Sequence, residues 1–383
     1  MNPIEALREV IGLDRRALHK IPEPGFKEYK TGQYIKDRLD ELGVYYESVA
    51  KTGIIAFFEG VAPTKTVAFR TDMDGLSVTE QSNYAEHSTH ENYMHACGHD
   101  GHMAMMLGLA RYLSRPDVKV IDNILLIFQP AEEGPGGAEV IVKEGVLEKY
   151  KVDEIYGIHV FPAIEQGKIG VCPGPMMAMT GEFDLEVISQ SAHGAMPHTG
   201  VDAVVIASEL VMGLQTVVSR NIDPINPAVL TIGRISAGER RNVIAGNAVL
   251  EGTLRAFDKE VYNKIKQRVI QYASGIEKAY EVEIRVVFRD MYPPVVNDSN
   301  LFNTFMNIHM EDIIVINPQM ISEDFSYYQE KVPGLFYFIG TYNESKGHVY
   351  PLHNSRFNFD DEIMIHGLKT YINVLEHKGC ILE

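Results

Sequence analysis

Side chains that bind borderline metals stand at widely separated points of this chain, and several sit beside a second reactive group. The densest run is His95-Ala96-Cys97-Gly98-His99-Asp100-Gly101-His102. A thiolate and an imidazole two residues apart, Cys97 and His99, can face one metal from a loop whose direction the following helix fixes. A second run, Gln129-Pro130-Ala131-Glu132-Glu133-Gly134-Pro135-Gly136-Gly137, carries two adjacent carboxylates directly after an apolar stretch. Buried carboxylates are costly unless paired or bound to metal. Neighbouring side chains in extended backbone point apart, so one can bind metal while the other faces a water as general base. His159 follows Tyr156-Gly157-Ile158, and His353 stands in Pro351-Leu352-His353-Asn354. Taken singly, each has an ordinary account: a small buried cysteine, a solvated glutamate pair, a hydrogen-bonded core histidine. Taken together, imidazole, carboxylate and thiolate suit divalent ions such as Zn, Mn, Co or Ni. Five donors exceed one tetrahedral site and suit two ions.

Elements must bring these groups together. Pro3 to Lys20 and Tyr29 to Leu42 have helical periodicity, and Gly101 to Leu113 reads as a helix rich in Met, Leu and Ala. Ile54 to Glu59, Thr66 to Arg70, Ile124 to Gln129 and Glu154 to His159 are strand-like apolar runs. Alternating helix and strand predicts an α/β domain with a mostly parallel sheet covered on both faces. Several of these runs end in polar groups: Asp72 and Asp74 after the second, Glu132 and Glu133 after the third, His159 after the fourth. Ligands in open α/β sheets bind beyond the carboxyl ends of the strands, so these ends predict one shared rim.

The middle of the chain is different. Phe183 to Ser189 reads as a strand, Val201 to Ser219 as a helix, and Ala228 to Ile235 and Ala248 to Phe257 as strands. Lys259 to Tyr280 then reads as a helix and Glu281 to Phe288 as a strand. That β-α-β-β-α-β order is ferredoxin-like. The expected organisation is therefore two domains, which the length of 383 residues also favours. A catalytic α/β domain spans residues 1–178 and 291–383, and a lid or dimerisation domain spans residues 179–290. Pro173, Pro175, Pro293 and Pro294 mark the crossings.

Composition narrows the partners. A net charge of −17 repels phosphate backbones, so no nucleic-acid partner is expected. No apolar run approaches the roughly 20 residues that span a bilayer, and Met1 to Lys20 lacks a signal-peptide core. Three cysteines, Cys97, Cys172 and Cys380, are too few for a disulfide framework and suit a reducing cytoplasm.

The motifs resemble the M20 family of metallopeptidases, in its subfamily of bacterial N-acyl-amino-acid amidohydrolases. The resemblance covers nearly the whole chain. It runs through Arg15-Arg16-Ala17-Leu18-His19, Pro22 to Phe26, Arg70 to Leu76, Met94 to His102, Phe128 to Gly137, Ala192-His193, Ser322 to Ser326 and Leu352-His353. Within the subfamily, Glu132 to Glu139 looks most like the acetyldiaminopimelate deacetylase branch. The resemblance implies that Cys97, His99, Glu133, His159 and His353 ligate two divalent metals and that Glu132 is the catalytic base. It implies that Asp74 orients a metal-bound histidine. It also implies that His193 stabilises the oxyanion, often from a partner subunit, and that Asn242 and Arg255 hold the substrate's carboxylate. Two departures, Ser189 to Gly194 in place of a Gly-rich approach and Ala245 in place of a proline, bear on lid geometry.

The expected function is metal-dependent hydrolysis of N-acyl amino acids by a cytoplasmic homodimer, with Glu132 drawing a proton from a metal-activated water. N-acetyldiaminopimelate, hippurate-like acyl amino acids and short peptides are competing substrates. A ligand-binding homologue without activity is the alternative of another class, although no reacting group is missing. Met176 to Met179 and Tyr292 are candidate pocket residues for which core packing is the simpler account.

Overall fold

Strands with no polar face must be buried on both sides, and the chain obeys this. In the computed structural model, which describes residues 3–308 and 312–383, Thr66–Asp72 is buried at all seven positions. Asn123–Gln129 is buried at every position but its first. These two strands run parallel, with Val67 opposite Ile124 and Asp72 opposite Gln129. Val152–Glu165 pairs in parallel with the other side of Thr66–Asp72, and Gly334–Tyr342 extends the sheet in the same sense. The order across the eight strands is Tyr46–Val49, Gly53–Phe58, Asn123–Gln129, Thr66–Asp72, Val152–Glu165, Gly334–Tyr342, Ile169–Val171 and Ile313–Val315. Antiparallel pairing is confined to the Tyr46–Phe58 edge and to the short contact of Ile169–Val171 with Gly334–Tyr342.

From Thr66–Asp72 the chain crosses to Asn123–Gln129 on one side and then to Val152–Glu165 on the other. That reversal opens a crevice at the strand's carboxyl end, where open sheets of this kind take their ligands. Helix His99–Leu113 starts there and is buried at every residue but Arg111. It is apolar nearly all round because helices Arg8–His19 and Glu362–His377 pack against it and the sheet lies beneath. Helix Tyr29–Leu42 has the predicted ends, and Gly43 stops it in the left-handed region at φ 66°.

The chain divides into two compact units. One holds Met1–Gly174, Val296–Asn317 and Asp324–Glu383; the other holds Pro175–Val295 and Pro318–Glu323. The second unit is an antiparallel sheet in the order Ala228–Ala237, Asn247–Ala256, Met179–Ile188, Glu283–Asp290. Helices Ala203–Asn221 and Lys259–Tyr280 complete the β-α-β-β-α-β order, each started by an aspartate cap, Asp202 on Val204 N–H and Asp258 on Val261 N–H. Phe183, Leu185, Val187, Leu210, Leu214, Leu250 and Val269 form its separate core. Met176, Met177, Met179 and Tyr292 are buried, as packing residues are. Helix Ala203–Asn221 corrects one expectation: at 19 residues and a mean hydropathy of 1.4 it is long and apolar enough to cross a membrane. Its Ile206, Leu210, Leu214 and Val217 are instead buried in this unit's core.

Candidate metal centre

The five expected ligands converge in the first unit. The Cys97 sulfur lies 3.4 Å from His159 Nε2 and 3.3 Å from His353 Nε2. His353 Nε2 is in turn 3.1 Å from Glu133 Oε1. The ligating atoms of Cys97, Glu133 and His353 lie within 4.8 Å of one another, and so do those of His99, Glu132 and Glu133. Glu133 belongs to both groups, which is the layout of two adjacent sites sharing a carboxylate.

Local backbone accounts for this convergence. Gly98, between Cys97 and His99, sits at φ 88°, and a Cβ there would lie 2.4 Å from Val160 Cγ2. Only glycine turns the chain so that a loop residue and the first helical residue face one point. Ala131 at φ 56° and His353 at φ 64° are left-handed without being glycine, strain that folded proteins keep at functional sites. Ala131 is held by its N–H donating to Glu28 Oε1 at 2.9 Å, and the His353 N–H donates to Ala96 O at 2.9 Å.

Tautomers follow from the partners. His99 Nδ1–H donates to the Asp74 carbonyl at 2.9 Å, so the remaining nitrogen, Nε2, is the one that can take a proton or a metal ion; it is buried with no hydrogen-bond partner among the described residues. His159 Nδ1–H donates to Val160 O at 2.6 Å and leaves Nε2 bare, aimed at Cys97. A buried, bare imidazole lone pair beside a carboxylate is costly unless a cation fills the space. Electrostatics agree. Burial, with the carboxylates of Glu133, Glu132 and Asp72, pushes the Cys97 thiol well above its ordinary range. Burial disfavours charge on His99, but Asp72 and Asp74 outweigh it and raise its pKa to about 10, so with no ion bound a proton takes the Nε2 position that a metal would occupy. Burial, with His102 alongside, holds His159 well below the ordinary histidine range. The pocket's excess of negative charge calls for positive charge, and thiolate, imidazole and carboxylate are the donors borderline divalent ions take. The residues fit a two-ion centre.

Several supporting residues surround the ligands; Asp72 and Asp74 are marked in the sequence by their place after an apolar run, whereas what they hold is not. Asp74 accepts the backbone N–H of Glu132 at 3.1 Å and of Glu133 at 3.0 Å. Asp72 lies behind the ligands, held by Arg70 at 2.9 Å and by His102 at 2.7 Å. Arg70 is fixed by Gln129 and Asp324, both at 2.8 Å. Buried Arg15 reaches Asp100, Phe359 O, Asp361 and Asn358, and His19 meets Asp100 at 2.9 Å, tying down the start of helix His99–Leu113. His159 was expected at a strand's end but lies inside Val152–Glu165. Pairing with Thr66–Asp72 stops at Gly157, so the open edge, not the strand's end, exposes His159 to the crevice.

His193, Asn242 and Arg255 belong to the second unit. His193 pairs with Val243, and Gly194 N–H donates to Asn242 O at 2.8 Å, so His193 and Asn242 are neighbours. His193 Nδ1 accepts the Ala195 N–H at 3.1 Å, which leaves Nε2–H as a donor. Arg255 is elsewhere. It pairs with Thr180 at one end of the long ladder, whereas Asn247 pairs with Ile188 at the other, on the side of Asn242. Eight strand residues are about 26 Å.

The sequence model of peptidase family M20/M25/M40 matches residues 68–377. The N-acetyldiaminopimelate deacetylase of Exiguobacterium sibiricum is 40% identical over 369 residues, 95% of this chain and 96% of that protein. The deacetylase of that name from Priestia megaterium is 38% identical over 371 residues, 95% of this chain and 97% of that protein. Among solved structures, a putative aminohydrolase from methicillin-resistant Staphylococcus aureus superposes with a TM-score of 0.91 at 32% identity, covering 98% of this chain and 97% of that one. The Bacillus subtilis YXEP protein, described as a dinuclear metal binding peptidase from the M20 family, gives 0.83 at 30% identity, with 98% and 99% covered.

Proposed function

The chain belongs to peptidase family M20/M25/M40, and on that premise we propose that it hydrolyses the amide of an N-acyl amino acid, with N-acetyldiaminopimelate as substrate. Full-length relatives that carry the deacetylase name support that choice over hippurate-like acyl amino acids and dipeptides. Cys97, His99, Glu133, His159 and His353 would hold two divalent ions of the Zn, Mn, Co or Ni kind. Ions bound there polarise the amide carbonyl and acidify a water.

The protein's own groups do the rest. Glu132 takes a proton from the attacking water as its oxygen bonds to the acyl carbon. It returns that proton to the amine nitrogen as the C–N bond breaks, leaving a carboxylate and a free amino acid. His193 Nε2–H donates to the oxygen that gains charge. Arg255 and Asn242 take the substrate's free carboxylate. The observation that carries the reading is Glu132 itself: 6% exposed, pinned through its N–H by Asp74, and within 4.8 Å of the donors of His99 and Glu133.

The active form is a homodimer. One chain's Asn242 and Arg255, at opposite ends of a strand, cannot grip one carboxylate, which supports a site that draws on two chains, with His193 coming from the partner as the family resemblance implies. The exposed Val204, Val205 and Met212 of helix Ala203–Asn221 supply an apolar face for pairing. Three cysteines, all buried and too few for a disulfide framework, suit the cytoplasm. The test is a panel of N-acetyl-diaminopimelate, hippurate, N-acetyl amino acids and dipeptides, each with defined metals. Tenfold higher kcat/KM for N-acetyl-diaminopimelate is expected; a tenfold preference for hippurate or a dipeptide overturns the substrate, and no turnover of any overturns the reaction.

A further inference from the structure

His102 shares the crevice with the ligands, and Asp72, His99, His102 and His159 bring donor atoms within 4.8 Å of one another. Both of its ring nitrogens are nevertheless engaged. Nδ1–H donates to Asp72 Oδ1 at 2.7 Å, and the bare Nε2 accepts the Val160 N–H at 2.9 Å. No lone pair is left for a metal. We propose that His102 is a positioning residue that stands in for a missing β-strand and, through the Val160 backbone, aims His159 at its metal.

The argument begins with the sheet. Val152–Glu165 is hydrogen-bonded to Thr66–Asp72 only as far as Arg70 opposite Gly157. Beyond Gly157 that edge would present unpaired N–H and C=O groups inside the protein, which folded chains avoid. In an extended strand the N–H and C=O of one residue point to the same side. At Val160 two histidines take both: His102 Nε2 accepts the N–H, and His159 Nδ1–H donates to the C=O. The two rings meet edge to face with centroids 4.6 Å apart. His159 Nε2 is thereby directed at Cys97.

The tautomer is set from behind. Asp72 can only accept from His102, so the proton stays on Nδ1 and Nε2 stays bare. Arg70 holds the second oxygen of Asp72 at 2.9 Å and is itself fixed by Gln129 and Asp324. The chain Asp324, Arg70, Asp72, His102, Val160, His159 is buried throughout. Groups behind a ligand commonly contribute tenfold to hundredfold in metal affinity.

This proposal rests on His159 being a ligand, and the test separates the two. Metal affinity and stoichiometry of the full chain are measured by chelator competition with Zn, and the cobalt form's visible spectrum reports coordination, for wild type and three variants. His102→Gln can place a carbonyl oxygen where Nε2 was and keep the Val160 contact. His102→Asn reaches only the Nδ1 position and loses it. His159→Ala removes the ligand. The proposal expects two metals bound by both His102 variants, affinity within about threefold of wild type for Gln, and a tenfold to hundredfold loss with an altered cobalt spectrum for Asn. Wild-type affinity in the Asn variant overturns it, as does loss of one whole metal in both His102 variants, which would make His102 a ligand. Full binding by His159→Ala overturns the ligand role of His159 instead. If the Asn variant fails to fold, the Gln variant decides: retained affinity supports the proposal and a tenfold loss overturns it.

Discussion

The Asp74 carboxylate accepts the backbone N–H of Glu133 through one oxygen, at 3.0 Å, while the other takes the Glu132 N–H at 3.1 Å and lies 3.4 Å from His99 Nδ1. One residue therefore fixes the backbone of the proposed base and of the proposed shared ligand together with the ring of a second proposed ligand. Asp74→Ala frees all three. Expected results are metal affinity weaker by about 10–100-fold and a lower kcat even at saturating metal. Asp74→Asn keeps one acceptor oxygen and should fall between. Isothermal titration with Zn, paired with kcat at saturating metal, checks this; an unchanged affinity in the Ala variant would show that Asp74 does not govern the centre.

Glu132→Gln keeps size and shape and removes the proton acceptor. General base catalysis contributes typically 10²–10⁴-fold, so kcat should fall by about that much. On the proposed assignment, in which Glu133 and not Glu132 is the shared ligand, both metals should remain at near wild-type affinity. Elemental analysis of the purified variant beside its turnover checks the split. Loss of metal in step with activity would reassign Glu132 as a ligand.

Metal removal should inactivate the enzyme without unfolding it. The two hydrophobic cores do not depend on the centre, but the adjacent carboxylates of Glu132 and Glu133 repel each other when no metal lies between them. Binding stabilises by about 2.7 kcal/mol when metal is at 100 times Kd. Circular dichroism should keep its helical signal after chelation, with a lower melting temperature in scanning calorimetry and activity restored by Zn or Mn.

Buried Glu28 supplies a pH dependence away from the ligands. Burial raises its pKa to about 7, with the Thr52 hydroxyl hydrogen bond opposing and Asp74 adding. The folded state thus keeps a proton that the unfolded chain releases near 4.5. Stability should fall as pH rises from about 4.5 to 7 and then level, by on the order of 3 kcal/mol for this group. Glu28→Gln keeps an acceptor oxygen for the Ala131 N–H, replaces the oxygen that accepts from the Thr52 hydroxyl with an amide N–H that the same hydroxyl can accept by rotating, and should remove that part of the slope. Urea unfolding of metal-free wild type and variant across this range is the measurement; equal slopes would refute the assignment.

Much of this was legible in residue types because burial and chemistry agree locally. Tyr29–Leu42 could be bounded from sequence since its periodicity ends at Gly43, and Cys97 and His99 advertised a ligand pair by donor type and spacing, which the turn at Gly98 then permits. His353 was harder. It lies on an irregular loop at φ 64°, placed by a bond to Ala96 far away in sequence. His102 stands in the same run as two expected ligands, but nothing in that run shows its role, because the role depends on where strand pairing stops. The second unit also takes in Pro318–Glu323, joined through Gln319 N–H to Met176 O and Ala178 N–H to Ile321 O. No local pattern announces such a return.

The separation of Arg255 from Asn242 leads to the most discriminating prediction. His193→Ala should lose about 10²–10³ in kcat with metals retained, since one oxyanion donor is worth that much. If His193 serves the partner's centre, a dimer of one His193→Ala chain and one Glu132→Gln chain holds one intact site: the first chain's Glu132 with the second chain's His193. Its other site lacks both. Random mixing makes half the dimers of this kind, each with one working site of two, so activity should recover to about a quarter of wild type from two nearly dead proteins. If His193 serves its own chain, every site in every dimer carries a defect and mixing restores nothing. Co-refolding or co-expression of the two variants, with turnover measured against each alone, decides between these arrangements. It does so without any assumption about which acyl amino acid the enzyme prefers.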